Sequence, residues 1–304
     1  MAIAERAVVG FMLMSDICFL TPTYRGDYKR FVKLRRTMEK WAPEIPHYAV
    51  VQTEDIALFE NIEFQKNLKL LTTRQILPQH IERARQWRVR GKPLRQKYLH
   101  AHPTRKSTTG WRCQQFVKLL AHEFVQEKII VCIDSDVLLT DRFDIKDFRT
   151  DERTHLFSCI DADAEMASWL IDTLNYFGLQ LQGKPISRYI YAPLPLDRDA
   201  LTSLARHMQR GRKLTDKHWL DVVIRRKLKS EYTVYGVFLD HLKCSHSSTL
   251  KIEPSCTTNI WWHSDIEFAE TSIAGLARRR YLLIQSNLDL PESVIEAHFE
   301  WAMN

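Results

Sequence analysis

Two aspartates one residue apart, Asp134 and Asp136 around Ser135, interrupt a strongly apolar segment that runs from Lys128 to Leu139. Hard carboxylate oxygens at this spacing suit Mg²⁺ or Mn²⁺, and such ions usually hold substrate phosphates as well. The chemistry that follows is transfer of a group from a nucleotide diphosphate. A D-x-D triplet is common by chance, and an acidic turn after a strand is often only solvated, so its position carries the reading. The unbroken apolar run Ile129–Ile133 reads as a strand buried on both faces, as in a parallel sheet. Carboxylates at the carboxyl end of such a strand lie where open α/β sheets bind ligands.

The elements that must position this step alternate along the chain. Asp16 to Thr21 reads as a strand ending at Thr21-Pro22-Thr23, and Asp27 opens a helix through Phe31, Leu34, Met38 and Trp41. Pro43 and Pro46 end that helix. His47–Gln52 is a second strand, Glu54–Asn61 a short helix and Leu68–Leu71 a third strand. This β-α-β-α-β order predicts an α/β fold with a doubly wound, mostly parallel central sheet flanked by helices. Gly110 precedes a helix whose Phe116, Leu119, Leu120 and Phe124 line one side, and this helix leads into the Asp134 strand. Thr154–Ile160 reads as a strand, followed by Asp161 and Asp163 and a helix from about Ala164 to Phe177. Residues 178–196 read as irregular, a natural place for an acceptor-binding loop. Helices are expected at Asp197–Arg210 and Asp216–Lys229, then at Glu231–Leu242 with Ser230 as its N-cap. A short strand at Leu250–Glu253, an extended Trp261-Trp262-His263 and a last helix at Glu292–Trp301 complete the chain. No linker divides it, so residues 1–304 are expected to form one domain.

The chain has 304 residues, 45% of them hydrophobic and 27% charged, which is ordinary for a soluble globular protein. Six scattered cysteines form no C-x-x-C pair and several sit in apolar runs, so buried reduced thiols and a cytoplasmic setting are expected. The stretch after Arg6 loosely mimics a signal peptide but is short, breaks at Ser15-Asp16 and has no small-residue cleavage site; a natural start near Met12 or Met14 is expected. No run reaches the length of a membrane span. The net charge of +7 is concentrated: Arg83 to Lys106 carries nine Lys or Arg and no acid. Such a block is either a solvated loop or a surface for nucleic acid, an anionic membrane or a polyanionic substrate.

The strand from Asp16 to Tyr24, the Gly110-Trp-Arg-Cys-Gln-Gln-Phe-Val-Lys-Leu-Leu120 helix, the Asp134-Ser-Asp136 step, Ser230–Gly236 and Trp262-His263-Ser264 together resemble a GT-A-fold glycosyltransferase. The G-W-x-x-Q-Q-x-x-K-L pattern before D-S-D further resembles a little-characterised bacterial group linked to surface-polysaccharide genes. The resemblance spans roughly Asp16 to Ser264. It implies a GT-A-like, Rossmann-type sheet, with residues 14–150 binding a nucleotide sugar and 151–304 forming a helical acceptor and catalytic part. It implies Mn²⁺ or Mg²⁺ on Asp134 and Asp136, with His263 as a further ligand and Asp134 also beside the donor diphosphate. Thr21, Thr23 and Tyr24 would meet the nucleotide base and ribose, and Arg25 a phosphate. Arg112, Gln115 and Lys118 would approach the donor from the next helix. Glu231 would deprotonate the acceptor hydroxyl, with Asp240 and His241 in reserve and Asp161 and Asp163 on the acceptor side. A carboxylate at a helix start feels the positive helix end, which lowers its pKa, whereas burial pushes the other way. The usual Glu-Asp pair is absent here, because Tyr232 follows Glu231.

The expected partners are therefore a nucleotide-sugar donor, with a UDP-sugar the first expectation, and a glycan or lipid-linked acceptor. Contact between the basic block and an anionic membrane face is a further expectation. Nucleotidyl transfer on paired aspartates is the rival enzyme class. Nucleic-acid binding through the basic block, where Trp87 and Tyr98 interleave with the cations, is the rival outside enzymes. A P-loop, H-E-x-x-H and G-x-S-x-G are all absent, which argues against P-loop kinases, zinc hydrolases and serine hydrolases.

Overall fold

Ile17, Cys18, Phe19 and Leu20 have no accessible surface, so the first strand, β1 (Ile17–Thr23), lies in the middle of its sheet. The structure, a computed structural model, describes residues 16–63, 65–90, 110–160, 164–181, 186–213, 215–242, 249–260, 279–288 and 290–304. β1 pairs in parallel with β2 (His47–Val51) on one side and with β4 (Ile129–Cys132) on the other, and β2 pairs with β3 (Leu68–Thr72). These four strands form the mostly parallel central sheet that the element order predicts. The helix between β1 and β2, α1 (Tyr28–Trp41), buries Phe31, Leu34 and Met38 along one face. Its start at Asp27 and its end before Pro43 are as the sequence indicates. The sheet is the spine of the larger apolar core, which takes in residues from Ile17 to Leu283.

The fifth strand is a correction. β6 (Leu194–Asp197) runs antiparallel beside β4, giving the order β6-β4-β1-β2-β3, where the sequence suggested only an irregular loop. Pro193 and Pro195 disguise it, but an edge strand tolerates proline because one side needs no ladder donor. Asp197 then caps α5 (Arg198–Arg210), its Oδ1 accepting from the Ala200 N–H at 2.9 Å. The helix expected over 216–229 shortens to Leu220–Arg225. The Asp216 carboxylate accepts instead from the Lys213 N–H and from Arg225, and Lys227 has φ of +55°, which no helix continues through.

The basic block is corrected in part. It begins inside a helix, α2 (Gln79–Arg90), and not in a loop. Arg85 there is buried and binds Glu82 and both oxygens of Glu54, so this cation serves the fold. Residues 91–106 of the block lie outside the described residues. Among the described residues, no helix is long and apolar enough to cross a membrane. Cys18, Cys132, Cys159 and Cys256 are thiols outside any disulfide.

A smaller three-stranded sheet, in the order β7 (Thr257–Ile260), β8 (Tyr281–Ile284), β5 (Val137–Leu139), continues the chain beyond the D-S-D step. The last helix, α7 (Glu292–Met303), closes it against α1: the Trp41 Nε1–H donates to the Ala302 carbonyl, and the Arg36 guanidinium lies over the Phe299 ring. Ser230 caps α6 (Glu231–His241) as expected, its Oγ accepting from the Thr233 N–H. Within α6, Gly236 lies against the ring of the buried Tyr189, where a Cβ would stand 2.3 Å from a ring carbon. We expect Gly236→Ala to lower stability by about 2 kcal/mol through overpacking, measured as a shift of the denaturation midpoint without a change in slope. An unchanged midpoint would show that Tyr189 can move aside.

Candidate functional site

The parallel strands bring their carboxyl ends together, and hydrogen bonds then shape the D-S-D step. The Ile133 N–H donates to the Leu20 carbonyl, extending the β1–β4 ladder by one residue. Thr21 Oγ1 donates to the Ile133 carbonyl at 2.7 Å, and Ser135 Oγ donates to Thr23 Oγ1 at 2.9 Å. The Val137 N–H closes the turn on the Asp134 carbonyl. Asp136 is held from the other side by β8 and the turn after it. Its carbonyl accepts from the Ile284 N–H, and its Oδ2 accepts from the Ser286 N–H at 3.0 Å.

Asp134 and Asp136 open into a cavity of about 260 Å³. One side of it is charged, with Asp27, Lys118, Asp134, Asp136 and Glu231; another is apolar, with Trp111, Met166, Trp169 and Ile190. The helix α3 (Gly110–Leu119) supplies Trp111, Gln115 and Lys118 from one face, as spacings of four and three residues require. Lys118 is buried, with its Nζ 2.9 Å from Asp134 Oδ1, 3.3 Å from Glu231 Oε1 and over the Tyr232 ring. The contact with Asp134 is an ion pair lying off the hydrogen-bond direction.

Negative charge dominates the cavity: four carboxylates line it against one lysine. Burial, followed by the neighbouring Asp134, pushes the Asp136 carboxyl up to about 7, although the Ser286 N–H and Arg30 oppose the rise. Burial raises Asp27 to about 6; Arg30 opposes this and Asp134 adds to it. Glu231 is also raised, by burial against the opposing pull of Lys118. Burial alone would lower Lys118, but Asp134, Tyr232 and Glu231 hold it well above its ordinary value. A carboxyl pushed up by a like neighbour marks a site short of positive charge.

A divalent cation fits that shortage. Asp136 Oδ1 is buried with no hydrogen-bond partner, and Asp134 Oδ1 has only its off-axis ion pair. Among the described residues, no three of His, Cys, Asp and Glu come close enough to hold a metal alone. Two carboxylates with the remaining positions left to substrate phosphates and water is the usual arrangement for Mg²⁺. His263, the third ligand suggested by the resemblance, lies outside the described residues, as do Asp161 and Asp163.

The other expected site residues divide. Asp134, Asp136, Lys118, Gln115 and Glu231 share the cavity. Thr23 and Tyr24 line a smaller pocket at the ends of β1 and β2, bounded also by Gln52, Gly110, Cys113 and Val117. Thr21 does not reach either pocket: it is fully buried, bonded to Ile133 and His47. Arg25 turns to Asp55, and Arg112 ties α3 to the Leu228 carbonyl. Asp240 stands outside the cavity, accepting from Tyr189 at 2.7 Å and from Lys251 at 2.5 Å. These two donors outweigh burial and lower its pKa, which suits a structural anchor better than a base.

Asp27, Trp111, Trp169 and Ser286 line the cavity without having been singled out. Asp27 carried a signal, since it precedes the first helix beside the end of β1, but a helix opener was explanation enough. Ser286 carried none, because its approach depends on β8 pairing with β5.

A family model described as "Family of unknown function (DUF6492)" matches residues 12–296. No curated protein matches the sequence. Solved structures that align include the apo form of the glycosyltransferase GlyE from Streptococcus pneumoniae TIGR4, at 10% identity and TM-score 0.43; the alignment covers 95% of this chain. The present chain spans 60% of the length of that GlyE chain. Galactosyltransferase LgtC in complex with donor and acceptor sugar analogs aligns at 11% identity and TM-score 0.45, over 94% of this chain and 95% of its own. Mouse xyloside xylosyltransferase 1 aligns at 9% identity and TM-score 0.46, over 90% and 99%.

Proposed function

This chain belongs to the family of unknown function DUF6492, and from that premise we propose that it is a metal-dependent glycosyltransferase. It would move a sugar from a nucleotide-sugar donor, a UDP-sugar first, to a glycan or lipid-linked acceptor of the kind used in surface-polysaccharide assembly. The observation that carries the reading is the crowding of Asp27, Asp134, Asp136 and Glu231 at the carboxyl ends of parallel strands with one lysine among them. An anionic diphosphate enters such a cavity only together with a cation. A D-x-D step within the sequence pattern described above supports sugar transfer over other diphosphate chemistry.

In this reading Asp134 and Asp136 hold Mn²⁺ or Mg²⁺. That ion supplies charge stabilisation for the departing nucleotide diphosphate. The bond between the sugar's anomeric carbon and the phosphate oxygen breaks, and a bond from that carbon to the acceptor oxygen forms. Glu231 takes the acceptor hydroxyl proton; its burial raises its pKa toward the range useful to a base. Lys118 keeps Asp134 and Glu231 in place and opposes the rise that burial gives Glu231. Thr23 and Tyr24, at the ends of β1 and β2, would border the nucleoside, since the pocket they line, about 20 Å³, holds little more than a water.

Calorimetric titration with UDP, GDP, CDP and ADP, each with Mn²⁺, Mg²⁺ or EDTA, tests this reading. One diphosphate should bind with a cation and not in EDTA, and Asp136→Ala should remove the binding. Cation-dependent turnover of a nucleoside triphosphate, with no response to any nucleotide sugar, would instead establish nucleotidyl transfer. No nucleotide binding under any condition would end both readings.

A further inference from the structure

The apolar wall of the cavity has no part in handling the diphosphate, yet it is built from large aromatic side chains. Trp111 on α3 and Trp169 on α4 (Ala164–Tyr176) place their ring centroids 5.9 Å apart with planes inclined at 49°. Trp111 is 50% exposed, the largest exposed aromatic among the described residues. An indole left in water forgoes hydrophobic stabilisation that a ligand face could recover. Met166, one turn before Trp169 on α4, and Ile190 extend the same wall.

The helix geometry says which ligand fragment meets this wall. Gly110, Cys113 and Val117 look into the small pocket at the ends of β1 and β2. Trp111, Gln115 and Lys118 look into the large cavity. Gln114 lines both, so the two spaces adjoin, and the tryptophans share theirs with Glu231 and the two aspartates.

We infer that Trp111 and Trp169 form a stacking platform for the C–H face of a pyranose, the ring of the acceptor sugar. A pyranose presents apolar C–H groups on one face and hydroxyls around its rim. The indoles match the face, and Gln114 and Ser230, which line the same cavity, offer an amide and a hydroxyl to the rim. An alkyl tail would match the indoles and leave those polar groups without partners. The inference rests on the glycosyl-transfer reading, and it names the chemical class of the group that stands before Glu231.

Saturation-transfer NMR with methyl glucopyranosides, galactopyranosides and mannopyranosides of both anomers tests it, with n-octanol as the lipid-like comparison. The wild type should saturate the protons of one ring face in at least one pyranoside. Trp111→Ala should weaken that binding tenfold or more, and Trp111→Phe should restore part of it. Trp169→Phe should shift the pattern of saturated protons while the fold persists, because the Trp169 Nε1–H has no partner among the described residues to lose. Circular dichroism confirms folding of each variant. Absence of pyranoside binding, equal binding by Trp111→Ala, or saturation confined to octanol overturns the platform. UDP and the other diphosphates with Mn²⁺ are titrated into the wild type in parallel. Pyranosides that bind where no nucleotide does would sink the transferase reading and leave the platform standing; nucleotide binding without pyranoside binding would do the reverse.

Discussion

Asp136→Asn is expected to reduce cation-dependent turnover by about 10³-fold, the scale seen when a stabiliser of transition-state charge is removed. The same change should make the cation-free protein more stable at neutral pH. The Asp136 carboxyl is raised from 3.8 to about 7 in the folded protein. As pH climbs from about 4 to about 7, the unfolded chain releases this proton while the folded chain keeps it. The unfolded state then binds fewer protons, so stability falls across that window and stays low above it. Asp27, raised to about 6, acts in the same direction over a narrower range. Melting temperature measured in EDTA from pH 4 to pH 8 should therefore decline for the wild type and decline much less for Asp136→Asn. Mn²⁺ should restore the wild type at pH 7.5 and leave the variant unmoved. Parallel pH profiles for the two proteins would mean that Asp136 is not the crowded group.

Lys118→Met should produce the largest loss of stability at this site. The lysine is buried and lies 2.9 Å and 3.3 Å from two carboxylates. Removing one partner of a buried ion pair leaves the remaining charge uncompensated, at a cost of about 3–5 kcal/mol. Asp134 is about one-third exposed and relaxes into water more easily than Glu231, which places the expected loss near the lower end, about 3 kcal/mol. For a chain of this size that is a fall of roughly 5 °C in melting temperature. The loss should shrink as pH falls and the carboxylates take up protons. Glu231→Gln keeps the side-chain volume and should cost little stability, while lowering turnover by about 10²–10⁴-fold if Glu231 is the base. The double variant should lose less than the sum of the single losses, since the two groups are in contact. Additive losses would show that Lys118 and Glu231 do not act as a pair.

The parts of the fold that local pattern dictates were legible in the sequence. The apolar runs of β1 and β4, the helical spacing of Phe31, Leu34 and Met38, and the Ser230 cap all lie where the residues indicate. β6 was hidden by its prolines, and only its place at the sheet edge makes them acceptable. The place of the two aspartates at a strand end was legible from the apolar run before them, and Lys118 was named only as part of the helix that leads into that strand. Asp240 and Thr21 lie outside the cavity for one reason: their partners, Tyr189 and Lys251 in the first case and Ile133 and His47 in the second, come from distant segments. No spacing along the chain announces such bonds. The inclination of Trp111 against Trp169 likewise depends on how α3 and α4 pack.

The central claim is that the Asp134–Asp136 cavity transfers sugar from a nucleotide. Its most direct test is release of free sugar and nucleoside diphosphate from a panel of UDP-, GDP-, CDP- and dTDP-sugars, with Mn²⁺ or EDTA, by the wild type and by Asp136→Asn. Turnover of one donor is expected, needing the cation and falling about 10³-fold in the variant. Turnover that persists in EDTA, or that Asp136→Asn leaves intact, would contradict it.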